Sequence, residues 1–294
     1  MNAQKILLVG YGDIAHRLAP QLMANGARVY AIARSDKDVA DGVIFWRGAI
    51  SDVAIQSRMS EIKMDVVIIT LTPGGRREAD YRQAYLHNVE NLLACWKRTK
   101  SEPKHVIFVS STSVYAQSGG EWITEMTPAV ASSPTSEVLI ETEQLLLQSG
   151  MPSCIVRFAG IYGPGRDYLI KQAIAGVAGT AAYTNRIHVT DCVDVLYFLT
   201  SVVSNDGRIP NILLASDCEP ATSTVVREWL SEALGFTHDH LRVSETSRSS
   251  RTSGLNKRCD NSALLAMGYT FTYPGYREGY AEQVAHYLPL VKKD

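Results

Sequence analysis

The sequence predicts an α/β protein, a doubly wound parallel sheet with a smaller C-terminal lobe. Three observations carry this. The first half alternates short, continuous apolar runs with helical stretches. The first run leads directly into a glycine turn, GYGDIA, and then into a helix. Beyond about Gly163 the texture changes to frequent turns such as GPGRD, NDGRIP and DCEP. Strand–helix alternation gives right-handed crossovers, which build a parallel sheet covered on both faces.

KILLVG (5–10), RVYAIA (28–33), DVVIIT (65–70) and HVIFVS (105–110) are apolar without alternation, as expected of strands buried on both faces. SCIVRFAG (153–160) and NILLAS (211–216) are two later strands of the same kind. Between them, DIAHRLAPQLMANG sets Ile14, Leu18, Leu22 and Met23 on one face and closes at Gly26, a C-cap glycine. In the helix predicted over 81–99, Tyr85, Val89, Leu92, Leu93 and Trp96 form an apolar stripe. Further helices are expected over 135–149 and over TVVREWLSEALG, ending at Gly235. The segment SETSRSSRTSGLNKR (244–258) is polar, basic and low in complexity, the composition of a mobile loop. The expected organisation is a dinucleotide-binding domain over 1–162 and a mostly substrate-binding lobe over 163–294, with the strand near 211–216 returning to the sheet.

Composition narrows the function classes. The 294 residues are 46% hydrophobic, enough for one large core, and 29 basic residues against 30 acidic leave a net charge of −1. That balance argues against nucleic-acid binding, which favours a basic excess. No apolar run reaches the 18 or so residues of a membrane span, and the N-terminus enters a strand without the layout of a secretory signal. Cys95, Cys154, Cys192, Cys218 and Cys259 are scattered with no CxxC pair. This favours free thiols in the cytoplasm over a disulfide framework or a zinc site.

GYGDIA has the GxGxxA form of a Rossmann-like phosphate loop. Gly10 permits the tight turn, Gly12 admits a pyrophosphate to the backbone, and Ala15 keeps the helix close to the sheet. The helix start, with Asp13 and Ile14, offers free N–H groups to phosphate. An ordinary tight βα turn is the plainer reading of the same residues. The second strand ends Ile32, Ala33, Arg34, Ser35, with no acid before Asp36. A carboxylate there would bond a ribose 2′-OH, whereas Arg34 suits a 2′-phosphate, so NADP(H) is expected over NAD(H).

Together, GYGDIA, VSSTSVYA (109–116), RFAGIYGPG (157–165), RIHVTDCVDVL (186–196) and GYTFTYPGYREGY (268–280) resemble the extended short-chain dehydrogenase/reductase family of sugar-nucleotide epimerases and dehydratases. The resemblance implies that Ser111 holds a substrate oxygen, flanked by Ser110 on the cofactor side and Ser113 on the substrate side. It implies cofactor contacts from Thr70, Leu71, Gly160 and Ile161, with Tyr162 near the nicotinamide. It implies substrate contacts from Asn185, Arg186 and His188. Thr112 and Ser113 replace the acidic pair of the dehydratase subclass, which argues against dehydration. A homodimer through helices 81–99 and 135–149 is implied as well, with Leu139, Glu143 and Leu146, alongside Leu145, as the matching stripe.

One departure dominates. The family's catalytic Tyr and the Lys four residues later fall at Thr135 and Leu139. No shift of register restores them, because there is no Tyr between Tyr115 and Tyr162 and no Lys between Lys104 and Lys171. An alkyl hydroxyl is far too weak an acid to replace a Tyr whose pKa is lowered by a Lys. Losing a positioned acid typically removes about 10²- to 10⁴-fold in rate, while hydride positioning survives. Tyr115, Tyr162 and His188 are the substitutes on paper, each with a packing role as the alternative. Arg242, Arg248, Arg251, Lys257 and Arg258 offer an anion clamp or simply a solvated loop. The sequence leaves three readings: an NADP(H)-dependent oxidoreductase or epimerase-like enzyme of a small, anionic or nucleotide-linked metabolite; a non-catalytic NADP(H)-binding sensor or partner protein; and a non-redox isomerase on the same fold.

Overall fold

The computed structural model describes residues 3–205, 207–237, 240–242 and 255–291. Two compact units are interleaved along the chain, not divided at one boundary. The first comprises Met1–Tyr115, Ala129–Arg157 and Val193–Leu213, and the second Ala116–Pro128, Phe158–Cys192 and Leu214–Asp294.

The first unit is built on β1 (Lys5–Val9), α1 (Asp13–Ala24), β2 (Arg28–Ala33), β3 (Ile44–Arg47), α2 (Val53–Glu61), β4 (Val66–Ile69), α3 (Glu78–Tyr81), α4 (His87–Thr99) and β5 (His105–Ser111). The chain continues through β6 (Glu121–Ile123), α5 (Pro134–Gln148), β7 (Ser153–Phe158), β8 (Gly160–Tyr162), α6 (Tyr168–Ile174), β9 (Tyr183–Thr184), β10 (Arg186–His188), α7 (Val189–Ser204) and β11 (Ile212–Ala215). It ends with β12 (Ala221–Thr222), α8 (Ser223–Ala233), β13 (Lys257–Cys259), α9 (Ser262–Ala266) and α10 (Tyr276–Val291). Seven strands form one parallel sheet in the order β11-β7-β5-β4-β1-β2-β3. Chain order reverses between β1 and β4, so the connections leaving their C-terminal ends turn to opposite faces of the sheet and open the crevice where such folds take ligands. The apolar runs are buried throughout: β4 and β7 expose no residue, and Ile6–Val9 of β1 are inaccessible.

The helix expected over 81–99 is not uniform. Arg82–Leu86 forms a widened π turn before α4 begins, and the Asn88 amide donates to the carbonyls of Gln83 and Ala84, both at 3.0 Å. Such turns satisfy the backbone by i→i+5 bonds and recur at functional sites.

In the second unit, β10 pairs in parallel with β8, β13 with β6, and β12 pairs antiparallel with β9. Ile170, Ala173, Val226, Leu230, Tyr276 and Tyr280 form its apolar core across α6, α8 and α10. The 244–258 segment is not a loop to its end, because Lys257 and Arg258 belong to β13. Arg248 and Arg251 lie outside the described residues. No helix among the described residues is long and apolar enough to cross a membrane.

Candidate functional site

The crevice at the strand-order reversal is lined by residues from the ends of β1, β2 and β4. Gly10, Gly12, Arg34, Ser35, Thr70 and Leu71 are among them, together with Tyr11, Lys37, Gly48 and Asn88. Gly10 is required twice over. Its φ of +92° favours glycine, and a Cβ there would lie 3.2 Å from the Leu71 nitrogen and the Thr70 carbonyl. The Thr70 hydroxyl donates to the Gly10 carbonyl at 2.9 Å, pinning the turn to β4. Gly12 is a different case. A Cβ there would meet nothing within 4 Å, and Gly12 is the N-cap of α1 without any side-chain hydrogen bond to the first turn. The start of α1 thus carries no side-chain cap and no Cβ at Gly12 to screen it, which fits close approach of a phosphate-bearing dinucleotide.

Two residues expected in this loop lie outside the crevice lining. Asp13 is exposed and accepts from Arg17 Nε at 2.7 Å, and Ile14 is half-buried in α1. At the end of β2, by contrast, Arg34, Ser35 and Lys37 line the crevice, and no carboxylate is among its lining residues. The neighbouring acid, Asp36, is engaged with Arg47 at 2.9 Å. That exposed ion pair adds little stability, but it holds the carboxylate toward Arg47.

Ser111 ends β5 and caps the short turn Thr112–Val114, its oxygen accepting from the Ser113 nitrogen at 3.1 Å. The hydroxyl proton of Ser111 is thereby left to donate elsewhere. Ser113 is half-buried in that turn. Ser110 faces the interior, where its hydroxyl donates to Glu143 Oε1 at 2.5 Å. Helix α5 packs against the 112–114 turn. It starts from a capping box between Ser133 and Ser136, and Pro134 sits in its first turn. Thr135 is half-buried beside the Ser133 hydroxyl at 3.1 Å, and Leu139 is buried. The places of the missing Tyr and Lys are thus filled by helix capping and core packing.

Beneath them lies a polar network that sequence reasoning did not assemble. Arg157 of β7 donates from Nη2 to Glu143 Oε2 at 2.5 Å, from Nε to Oε1 at 3.1 Å, and from Nη1 to the Tyr115 hydroxyl at 2.5 Å. All three side chains are buried. Burial opposes the Arg157 charge, but the hydrogen bonds and field of Glu143 outweigh it and hold the guanidinium above its ordinary range. Tyr115 is therefore seated in the interior against a cation. The lone signal in the sequence was a Glu on the apolar face of a helix and an Arg within an apolar strand.

The remaining candidates belong to the second unit. Tyr162 is buried, its hydroxyl donating to the Gly275 carbonyl at 3.2 Å and its ring 4.5 Å from that of Tyr280. Burial, then the negative field of Asp217, pushes its hydroxyl well above the usual tyrosine range, which disfavours proton donation. His188 accepts from the Thr190 nitrogen on Nδ1 at 3.2 Å and lies against Tyr273, ring centroids 3.9 Å apart. Asn185 ties β13 in place, donating to the Lys257 carbonyl at 2.9 Å and accepting from the Cys259 nitrogen at 2.8 Å. Arg186 is buried, bonded to Thr184 and set over the Tyr276 ring. Gly160 and Ile161 lie in β8, opposite Arg186 and Ile187. These groups serve as the frame of the unit.

The dimer stripe needs correction. Leu139, Glu143 and Leu146 are buried within the single chain, so they are not a free face.

Comparison with known proteins agrees with this geometry. Residues 6–212 match the NAD dependent epimerase/dehydratase family. The chain belongs to that family. A 3-diazoavenalumate denitrifying reductase from a Streptomyces species is 24% identical, the match covering 94% of this chain and 98% of the reductase. An NAD-dependent epimerase/dehydratase structure from Methylobacillus flagellatus is 29% identical with a TM-score of 0.80, covering 97% of this chain and 99% of that one. A Thermus thermophilus UDP-glucose 4-epimerase, solved with NAD, shares the fold at 19% identity and a TM-score of 0.76, covering 97% and 99%. Membership of this NAD-dependent family supports a nicotinamide dinucleotide as the cofactor and suggests an NAD(P)-dependent enzyme.

Proposed function

We propose that the protein is an NADP(H)-dependent reductase of a small, anionic metabolite, using no tyrosine of the usual kind as its proton donor. The observation that carries the cofactor choice is the rim of the crevice: Arg34, Ser35 and Lys37 are present, no carboxylate lines it, and Asp36 is drawn to Arg47. Two cations and a hydroxyl suit a 2′-phosphate, and a free carboxylate would repel it.

When bound, the nicotinamide supplies a hydride. The chain's own part is to position and to hydrogen-bond. Gly10, Gly12 and the α1 N-terminus receive the pyrophosphate, and Ser111 donates its hydroxyl proton to an acceptor atom of the substrate. With Tyr115 committed to Arg157 and Tyr162 buried, the proton that completes reduction comes from water. The substrate must then be a strongly electron-poor acceptor, in which hydride addition needs little acid help. The reductase character of the Streptomyces relative supports this direction. A homodimer through 81–99 and 135–149 belongs to the proposal too, resting on the half-buried Leu93 and Leu145, which border one groove.

The deciding experiment offers 4-deuterated NADPH with electron-poor conjugated acceptors and, in parallel, with ordinary keto-sugars. Deuterium transfer to the conjugated acceptors alone is the expected result. Normal turnover of a keto-sugar would overturn the proton argument. NADPH binding without transfer to any acceptor would favour a sensor.

A further inference from the structure

Arg258 is placed by more contacts than an ordinary surface arginine. Pairing of β13 with β6 sets it opposite Trp122. Asn185 holds the backbone on both sides of it. Asn256 ties the approach to β13, its carbonyl accepting from the Gly120 nitrogen and its side chain from the Tyr183 nitrogen, both at 2.8 Å. Within that frame, Nε of Arg258 donates to the Gly120 carbonyl at 2.9 Å, and Cζ lies 4.9 Å from the ring centroids of both Trp122 and Tyr183. Its two Nη nitrogens bond none of the described residues, and no described carboxylate pairs with it.

The guanidinium is therefore fixed in position while its outer N–H groups remain open. The ordering that a mobile arginine would undergo on binding an anion is already complete. The fork of N–H groups matches the two oxygens of a carboxylate. Beside it Trp122 is 54% exposed, a large aromatic surface left to solvent. A fixed anion fork next to an open indole selects a ligand that is both anionic and planar.

We infer that Arg258, Trp122 and Tyr183 anchor an aromatic or conjugated carboxylic acid, the carboxylate on the Arg258 fork and the ring against Trp122. The inference rests on the proposed reductase reading and names the class of its substrate.

The test is calorimetric titration of the intact protein with cinnamate, cinnamyl alcohol, hexanoate and inorganic phosphate. Melting shifts with NADPH are recorded on the same samples. Wild type is expected to bind cinnamate, and to bind the alcohol and hexanoate at least about tenfold more weakly. R258Q and R258K should each lose about tenfold or more in cinnamate affinity, because lysine keeps the charge without the fork. W122A should lose the preference for cinnamate over hexanoate. Each variant's NADPH shift reports that it is folded, and an unchanged shift separates loss of the anchor from loss of the cofactor reading. Equal cinnamate affinity in R258Q, no cinnamate binding to wild type, or tighter binding of phosphate than of cinnamate would overturn the inference. A missing NADPH shift in wild type would instead sink the reductase reading, whatever cinnamate does.

Discussion

At the residue scale, the two glycines of the phosphate loop separate folding from binding. Gly10 is held at φ +92° against the Thr70–Leu71 backbone, so G10A should strain the turn and lower stability by about 1–3 kcal/mol, read by chemical denaturation. Gly12 has φ −91° and ψ −167°, extended backbone open to any residue, and a Cβ there meets only open space. G12V should therefore melt within a degree or two of wild type and yet lose its shift with every dinucleotide. If G12V still shifts with NADPH, the pyrophosphate lies elsewhere. Arg34 makes the complementary case, since its contribution is chemical. R34E should weaken NADPH binding by roughly 10- to 100-fold, the worth of a charge-assisted bond replaced by repulsion, and leave NADH unchanged or improved. Equal losses for both cofactors would mean that Arg34 only supports the turn. These residues were legible because the loop is local: strand, glycines, helix and strand end follow one another within about 30 residues. Lys37 and Asn88 were not legible. Each reaches the crevice through a loop or a widened helical turn whose geometry no short-range pattern encodes.

At the scale of elements, the continuous apolar runs located every strand buried on both faces, since burial there leaves no alternation to obscure. The strand of the seven-stranded sheet that was missed, β3, lies at one edge, only partly buried and four residues long. The missing Tyr–Lys pair was likewise plain in the sequence, but what replaced it was not. The network beneath α5 joins Ser110 of β5, Tyr115 after the 112–114 turn, Glu143 of α5 and Arg157 of β7, and only the fold brings them together. It makes a sharp prediction. E143A leaves a buried cation facing Tyr115 and should cost about 3–5 kcal/mol, whereas the double change E143L/R157L removes both charges and should cost far less. For a chain of this size, the single variant would melt roughly 10 °C lower. A double variant as damaged as the single would show that α5 depends on the network's shape and not on its charge balance.

At the scale of the whole molecule, the interleaving of the two units was the feature least accessible to sequence. The sequence suggests a boundary near 162 with one strand near 211–216 returning to the sheet, yet the chain crosses between units repeatedly, so contacts distant in sequence determine each core. The second unit also carries a buried acid that affects global stability. Asp217 is 1% exposed, and its Oδ2 has no partner among the described residues. Burial, opposed by Arg186 and by the hydrogen bond from the Glu219 N–H, pushes its carboxyl up to about 7 from an ordinary 3.8, the negative charges of Glu219 and Asp191 adding to the rise. Below about pH 4 both folded and unfolded chains hold this proton. Between about 4 and 7 only the folded chain does, so raising the pH through that window removes stability. Above 7 both forms are ionised and the loss is complete. The protein should therefore melt lower at pH 8 than at pH 5, by several degrees. An amide in place of the acid stays neutral at every pH, so D217N should flatten this slope and gain stability at pH 8. Parallel slopes for wild type and D217N would mean that Arg186 already compensates the charge, and that Asp217 is ionised in the folded protein throughout.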